Sequence, residues 1–403
     1  MLSAIMQSAI HALTALVLTL LAIPAALASL YVLLATLLSA HPVSRPRSSR
    51  RLRFDIIVPA HNEAPVIART VASLRRLDWP ADRFRVLVIA DNCTDTTASL
   101  ARTTGARVIE RRDPLNRGKG HALAFAFDLS LTERRAQAAV VVDADTEVSS
   151  NLLDAIAQRL EHGAQAVQVH YGVLNADASW RTRLMAIAHA AFHRVRSRAR
   201  ERLRLSCGIR GNGWCVTHKL LRETGYDAFS LAEDLEYGID LGLAGHRVHY
   251  VDEAEVRGEM VSGADVAATQ RQRWEGGRFA LLRARVLPLL RNAWRRRDPV
   301  CLDLALDLLV LPLSYVALNI AALGALALLG QRLGWVSGNW QRAAATLALC
   351  VVLYVLRGWR LSGVGARGAF DLARAPLFIV WKSLVMLTRT HPTEWVRTHR
   401  ERT

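Results

Sequence analysis

Residues 139–148 read AVVVDADTEV, two carboxylates one residue apart behind a run of valines. Val140 to Val142, with Ala139 before them, predict a strand buried on both faces, as in a parallel sheet between helices. The carboxyl end of such a strand is where open α/β sheets hold ligands. Asp143 and Asp145 repel one another unless a cation or cationic group lies between them, although a pair like this, taken alone, also fits a solvated turn. Two further strand ends repeat the arrangement. FDIIVPAHNE closes on His61, Asn62 and Glu63, and RFRVLVIADNCTD closes on Asp91 and Asn92. In NRGKGHAL, Lys119 sits between glycines at the start of a helical stretch, without the glycine spacing or the following Ser or Thr of a P-loop. Singly, Glu63 suits a helix N-terminus, and Asp91 with Asp95 suits a turn and cap. Jointly they favour a nucleotide: an acid for base or ribose, a lysine for phosphate or base, and an acid pair for the metal bridging a diphosphate.

These residues need a scaffold that brings strand ends together. From residue 54 to about 260, short apolar runs alternate with helical patterns, the order expected of a parallel sheet with helices on its faces. FDIIVPA, RFRVLVIAD, ARVIE and the valine run are strands; APVIARTVASLRRL has helical spacing. Three strand ends then converge on polar residues, which implies a crevice.

The 403-residue chain is 51% apolar, and the apolar residues are unevenly spread. Residues 9–40 hold one His and no Asp, Glu, Lys or Arg, a stretch longer than a helix needs to cross a bilayer. The basic cluster RPRSSRRLR follows this stretch instead of preceding it, so the segment reads as an anchor and not a cleaved signal. Further apolar blocks run from Cys301 to Gly330 and from about Ala343 to Leu356, each flanked by arginines. By the positive-inside rule, residues 45 onward lie in the cytoplasm, giving an integral membrane protein expected in the bacterial inner membrane. Ala375 to Leu387 is short and contains Lys382, which suits an interfacial or re-entrant helix better than a span. RTRLMAIAHAAFHRVRSRARERLRL, 181–205, is apolar and then strongly basic, and predicts a helix resting on anionic lipid. The net charge of +17 is concentrated beside apolar segments, so membrane lipids, and not nucleic acid, are its expected partner. Five scattered cysteines fit a reducing compartment, and Cys207 and Cys215 match no zinc spacing. His170, His189 and His193 share no ligand spacing with the acids and read as structural or surface groups. The chain is expected to divide into an anchor (1–44), an α/β domain (45–260), a segment with an interfacial helix (261–299) and a C-terminal membrane and interfacial region (300–403).

In order from Ile56 to Trp274, IIVPAHNE, ADNCTD, NRGKGHAL, DADT, GNGWCVT, AEDLEYGIDL and QRQRW resemble the motifs of membrane-bound family 2 glycosyltransferases. That group includes cellulose, chitin, hyaluronan and poly-N-acetylglucosamine synthases and ceramide glucosyltransferase. The resemblance implies a GT-A domain, Rossmann-like and α/β, flanked by transmembrane helices, and a nucleotide-sugar donor, UDP-linked by analogy. It implies that Asp91 contacts base or ribose, with Pro59, His61, Glu63 and Lys119 beside it. Asp143 and Asp145 become the DXD motif, with Asp145 the direct ligand of Mg²⁺ or Mn²⁺. Asp234 becomes the general base, with Glu233 beside it. Gln270, Arg273 and Trp274 become the QxxRW motif that holds the diphosphate and borders the acceptor, near Gly211 and Asn212.

Inverting transfer needs one base for the acceptor hydroxyl, while a metal and a guanidinium take the charge gathering on the leaving diphosphate. The first expectation is extension of an extracellular polysaccharide at the membrane, with export or accessory subunits. The alternative is single transfer to a lipid acceptor, and a third is a nucleotide-binding regulator without catalysis, which the presence of Asp143, Asp145, Asp234 and Arg273 disfavours.

Overall fold

The computed structural model describes residues 2–41, 47–260 and 264–388. A long helix α1 (Leu2–Leu38) precedes the α/β unit, which opens β1 (Phe54–Ala60), α2 (Ile67–Arg75), β2 (Phe84–Asp91), α3 (Thr97–Thr103), β3 (Arg107–Arg111), α4 (Lys119–Glu133) and β4 (Ala138–Val141). It continues with β5 (Thr146–Val148), α5 (Leu152–Glu161), β6 (Ala166–Val173), α6 (Trp180–His189), a π-helical segment (Ala190–Val195) and α7 (Arg196–Arg202). β7 (Trp214–Thr217), α8 (His218–Thr224), α9 (Glu233–Leu243) and β8 (Val248–Gly258) close the unit. α10 (Ala264–Arg296), α11 (Pro299–Leu309), α12 (Leu313–Arg332), α13 (Asn339–Ser362), α14 (Gly365–Asp371) and α15 (Ala375–Thr388) follow.

The strands form one eight-stranded sheet in the order β3-β2-β1-β4-β7-β6-β8-β5. The first four are parallel, as the alternating pattern predicts. Beyond β4 the sheet is mixed, because β7 runs antiparallel to both β4 and β6, and β5 antiparallel to β8. The two-residue period of β1 explains the two cores. Ile56 and Val58 face α2 and α5, meeting Ile67, Val71, Leu74 and Ile156. Ile57 faces α4 and α9, meeting Leu123, Phe127, Tyr237 and Leu241 around the buried Trp214. Burial of each such side chain contributes about 1.5–3 kcal/mol, and every β4 residue is fully enclosed, so strand ends are fixed relative to one another.

Three helices are long and apolar enough to cross a membrane: Ile5–Leu38, Leu313–Arg332 and Asn339–Ser362. They pack together through Ala25, Ala28, Val316, Ile320 and Val351, while Leu16, Leu20, Leu27, Leu34, Leu349 and Leu353 point outward. The predicted Cys301–Gly330 block is not one span. Pro312 interrupts it, and α11 instead packs Cys301, Leu304, Ala305 and Leu308 against Ile239 of α9 and Leu289 of α10.

The predicted lipid-facing basic helix is also corrected. Arg196, Arg198 and Arg200 of α7 are buried, at 4%, 4% and 2% exposure. Arg198 pairs with Asp252 at 2.5 Å, Arg200 with Asp303 at 2.8 Å, and Arg196 and Arg200 with Asp307 at 3.1 and 2.9 Å. A guanidinium enters a protein interior where a carboxylate receives it, and here three aspartates do so.

Candidate active site

The ends of β1, β2 and β4 and the start of α9 surround one cavity of about 710 Å³. Pro59, His61, Glu63, Asp91, Lys119, Asp143, Asp145, Gly211, Glu233, Asp234 and Trp274 all line it. The strand-end pattern brings in Pro59, His61, Glu63, Asp91, Lys119, Asp143 and Asp145, and the family resemblance adds Gly211, Glu233, Asp234 and Trp274.

Lys119 begins α4, and its Nζ donates to Asp143 Oδ1 at 2.5 Å and to the Gly211 carbonyl at 2.6 Å, with Glu233 Oε1 3.8 Å away. Burial alone would pull the Lys119 ammonium down, but Asp143, Glu233 and Asp234 outweigh it and hold the proton firmly. Burial raises Asp143 above the ordinary carboxylate range against the pull of Lys119, and Asp145 adds to the rise. Burial likewise pushes Glu233 up to about 7, opposed by Lys119 and reinforced by Asp234.

The turn between the two aspartates is braced from below. Asn212 is fully buried; its Oδ1 accepts from the Asp143 amide at 3.1 Å and its Nδ2 donates to Thr146 Oγ1 at 2.7 Å. Thr70 Oγ1 donates to the carbonyl of Ala144 at 2.7 Å. Asn212 is thus a bracket for the acid turn and does not itself line the cavity.

At the other end, Arg111 Nη1 donates to Asp91 Oδ1 at 2.6 Å, and His61 Nδ1 donates to the Asp91 carbonyl at 2.7 Å. Glu63 accepts the amides of Val66 and Ile67 at its carbonyl, so it opens the turn before α2. Gly211 has φ +88, and a Cβ there would lie 3.1 Å from Asp234 Oδ2. The chain passes Asp234 that closely because glycine stands at this point. Gln270 and Arg273 fall on α10, but their side chains lie outside the described residues; Trp274 is partly exposed to the cavity.

Four carboxylates, Asp143, Asp145, Glu233 and Asp234, thus face one lysine. Hard oxygen donors in excess fit Mg²⁺ or Mn²⁺, which bind through one or two carboxylates and complete their shell with substrate phosphates. Among the described residues no three His, Cys, Asp or Glu groups are placed to hold a metal unaided, so such a cation would share its shell with a diphosphate.

Beyond the acids, the cavity continues between α6, the π segment, α13 and α15, past Ile187, Phe192, Leu313, Val351 and Phe378. Sequence reasoning missed this half and Tyr171; His189 and His193, expected as structural or surface groups, line the cavity with their rings edge-to-face against Tyr171. Burial lowers His189 to about 4 and also lowers His193, so both stay neutral at pH 7. It missed Arg111 as well, and the partners of α7. One signal was readable: Asp303 and Asp307 inside an apolar block require cations.

A curled mixed sheet with strand-end acids beside a cavity of this size is the GT-A α/β architecture. A family model described as "Glycosyltransferase like family 2" matches residues 52–277, more than half of the chain, and the chain belongs to that family. It is similar to a probable glycosyltransferase of Bacillus subtilis, 25% identical over 56% of the relative and 57% of this chain. It is also similar to a beta-monoglucosyldiacylglycerol synthase of Nostoc, 31% identical over 48% of the relative and 55% of this chain. The chain spans about half the length of these curated relatives. Among solved structures, a mannosyltransferase of Pyrobaculum calidifontis, in complex with GDP-Man and Mn²⁺, shares the fold with a TM-score of 0.56 at 17% identity. That likeness covers 94% of this chain and 99% of the other.

Proposed function

We propose that the chain is an inverting, cation-assisted hexosyltransferase that moves one sugar from a nucleotide-diphosphate donor to an amphiphilic, lipid-type acceptor at the membrane. One observation carries the choice of acceptor: the cavity that holds the strand-end acids runs on into an apolar chamber walled by the membrane-side helices, through Ile187, Leu313, Val351 and Phe378. An apolar wall favours an alkyl chain, since burying each methylene contributes about 0.8 kcal/mol. A glycolipid synthase among the relatives supports the same reading.

In this reading the donor lies along the Asp91 to Asp145 wall. Asp91, fixed by Arg111, accepts from ribose hydroxyls or a base N–H, and Lys119 holds Asp143 and the Gly211 carbonyl in place. Asp145 and Asp143 hold a divalent cation, which when bound neutralises the leaving diphosphate. Asp234, at the N-terminus of α9 and against Gly211, takes the proton of the acceptor hydroxyl as its oxygen displaces the diphosphate from the anomeric carbon. Glu233, raised to about 7, keeps that corner less negative than two ionised acids would. Arg273 and Trp274 close the donor from α10 in the manner of the QxxRW motif, and the GT-A unit faces the cytoplasm.

The test is nucleoside-diphosphate release by the full chain in an uncharged detergent with Mg²⁺ or Mn²⁺, across UDP- and GDP-sugars, with long-chain alcohols as acceptors. A product of one sugar on one chain is expected; a ladder of lengthening saccharides would refute the single-transfer reading. Asp234→Asn should abolish transfer while donor binding persists, and continued turnover would remove Asp234 from the role of base.

A further inference from the structure

The cavity that holds the acids and the apolar chamber is also lined by arginines that the transfer chemistry above does not use. Arg196 and Arg210 line the cavity there, both almost wholly buried, and Arg278 of α10 completes the wall. Arg210 donates to the Cys207 carbonyl at 2.9 Å and reaches Asp307 Oδ2 at 3.3 Å, its guanidinium 4.5 Å from the Phe192 ring centroid. Arg196 donates to Tyr354 Oη at 3.0 Å and to Asp307 Oδ1 at 3.1 Å. Arg200 pairs with Asp303 and Asp307 behind them.

Arg278 differs from the rest. Its Nη2 donates to the backbone carbonyls of Asp307 and, at 3.0 Å, Val310, and among the described residues no carboxylate lies within ion-pair distance of it. Three guanidiniums, those of Arg196, Arg200 and Arg210, therefore share Asp303 and Asp307, and Arg278 stands beside them on backbone carbonyls. The one other acid on that wall, Glu275, accepts from Tyr315 Oη at 3.3 Å. Burial lowers Arg278 to about 10; Asp307 works against this, while Arg196, Arg210 and Arg200 lower it further, as expected of a cation crowded by cations. The π-helical turn strengthens the arrangement: it sets Phe192, His193 and Arg196 along one cavity wall, a use to which such turns are often put.

We infer that Arg196, Arg210 and Arg278 form an anion subsite that receives a phosphate group carried by the acceptor amphiphile, next to the reaction centre and at the mouth of the apolar chamber. The inference rests on the amphiphilic-acceptor reading and narrows it. Position sets the ligand class. Arg210 directly precedes Gly211, the residue whose backbone passes Asp234, and Arg210, Gly211, Asp234 and Phe192 line the same cavity, so a group bound at Arg210 lies on the Asp234 side of it and not on the Asp91 side. Guanidinium forks match phosphate oxygens, and an alkyl chain attached to that phosphate would extend past Phe192 into the apolar half.

Arg278 is the residue to change, because it holds no carboxylate whose loss would strand a buried charge. The full chain in dodecyl maltoside is titrated with hexadecyl phosphate, dihexadecyl phosphate, hexadecanol and inorganic phosphate, for the wild type, Arg278→Gln and Arg278→Lys, with melting curves and donor binding as checks on folding. The expectation is that hexadecyl phosphate binds about tenfold or more tightly than hexadecanol. Arg278→Gln should erase most of that preference while leaving hexadecanol and donor binding in place, and Arg278→Lys should keep part of it. Tighter binding of the dihexadecyl ester would assign the subsite to a phosphodiester lipid, and tighter binding of the monoester to a lipid monophosphate; either supports the inference. Equal affinity for alcohol and phosphate, or a preference indifferent to Arg278→Gln, overturns the subsite and leaves the amphiphilic acceptor standing. Failure of every long-chain probe overturns both. Inorganic phosphate binding as tightly as hexadecyl phosphate would assign the arginines to free phosphate and overturn the acceptor role.

Discussion

Gly211→Ala isolates the contact between the 208–213 loop and the proposed base. The added Cβ would stand 3.1 Å from Asp234 Oδ2 with φ at +88, and the Gly211 carbonyl accepts from Lys119, so the loop cannot retreat freely. Two costs arise. The left-handed backbone costs about 1–3 kcal/mol wherever alanine must adopt it. The contact itself is tight by a few tenths of an ångström, so Asp234 must shift, and displacements approaching 1 Å cost about 10²-fold in rate. Gly245→Ala separates the two, since Gly245 has φ +90 with nothing within 4 Å of its would-be Cβ. Both variants should lose similar stability in a thermal melt, whereas Gly211→Ala alone should lose about 10- to 100-fold in kcat at unchanged donor affinity. Equal kcat for the two alanine variants would show that Asp234 is not at the reacting centre.

Glu233 gives a pH signature. Raised from 4.5 to about 7, it keeps its proton in the folded chain where the unfolded chain has lost it, so stability falls as pH climbs from about 4.5 through 7. The total is on the order of 3 kcal/mol, and Glu233→Gln should flatten the profile over that window in chemical denaturation; an unchanged slope would refute the assignment. Asp307→Asn should destabilise the chain by about 3–5 kcal/mol in thermal unfolding, because Arg196, Arg200 and Arg210 would keep buried charges without their carboxylate; a loss under about 1 kcal/mol would mean that water reaches them. Chelation of divalent cations should remove donor affinity, restored by Mg²⁺ or Mn²⁺ and not by monovalent salt, and Asp145→Asn should blunt that response in calorimetry.

Much of the catalytic wall was legible because β-strand periodicity and strand-end chemistry are local. Ile56 to Ala60, Val86 to Asp91 and Ala138 to Val141 announce themselves by composition, and their ends must converge once the strands are parallel neighbours. The mixed half of the sheet was not legible: β5 and β7 are three and four residues long, and their pairing with β8, β4 and β6 is set by contacts distant in sequence. The basic helix misled for a related reason. Amphipathic charge reads as solvated or lipid-facing until a partner is known, and the carboxylate partners of the buried α7 arginines lie 54 residues and more away, in β8 and α11.

Those partners change what the charge does. A buried ion network seldom stabilises a fold more than well-packed apolar side chains would, so its physical consequence here is one of position. Asp307 on α11 is reached by Arg196 and Arg200 of α7 and by Arg210 of the loop before β7. Arg196 also bonds Tyr354 of α13, a helix apolar enough to span a membrane, and Tyr354 donates in turn to the Ala191 carbonyl of the π segment at 2.7 Å. Gly358 adds a steric lock, since a Cβ there would stand 2.8 Å from Ala191 Cβ. The loop carrying Gly211, and so the wall beside Asp234, is therefore tied through one aspartate to the helices lining the apolar chamber. In the proposed reading, a chain entering that chamber and a sugar donor bound at the strand ends would meet across this junction, at a distance set by the pairing of Asp307 with Arg196, Arg200 and Arg210.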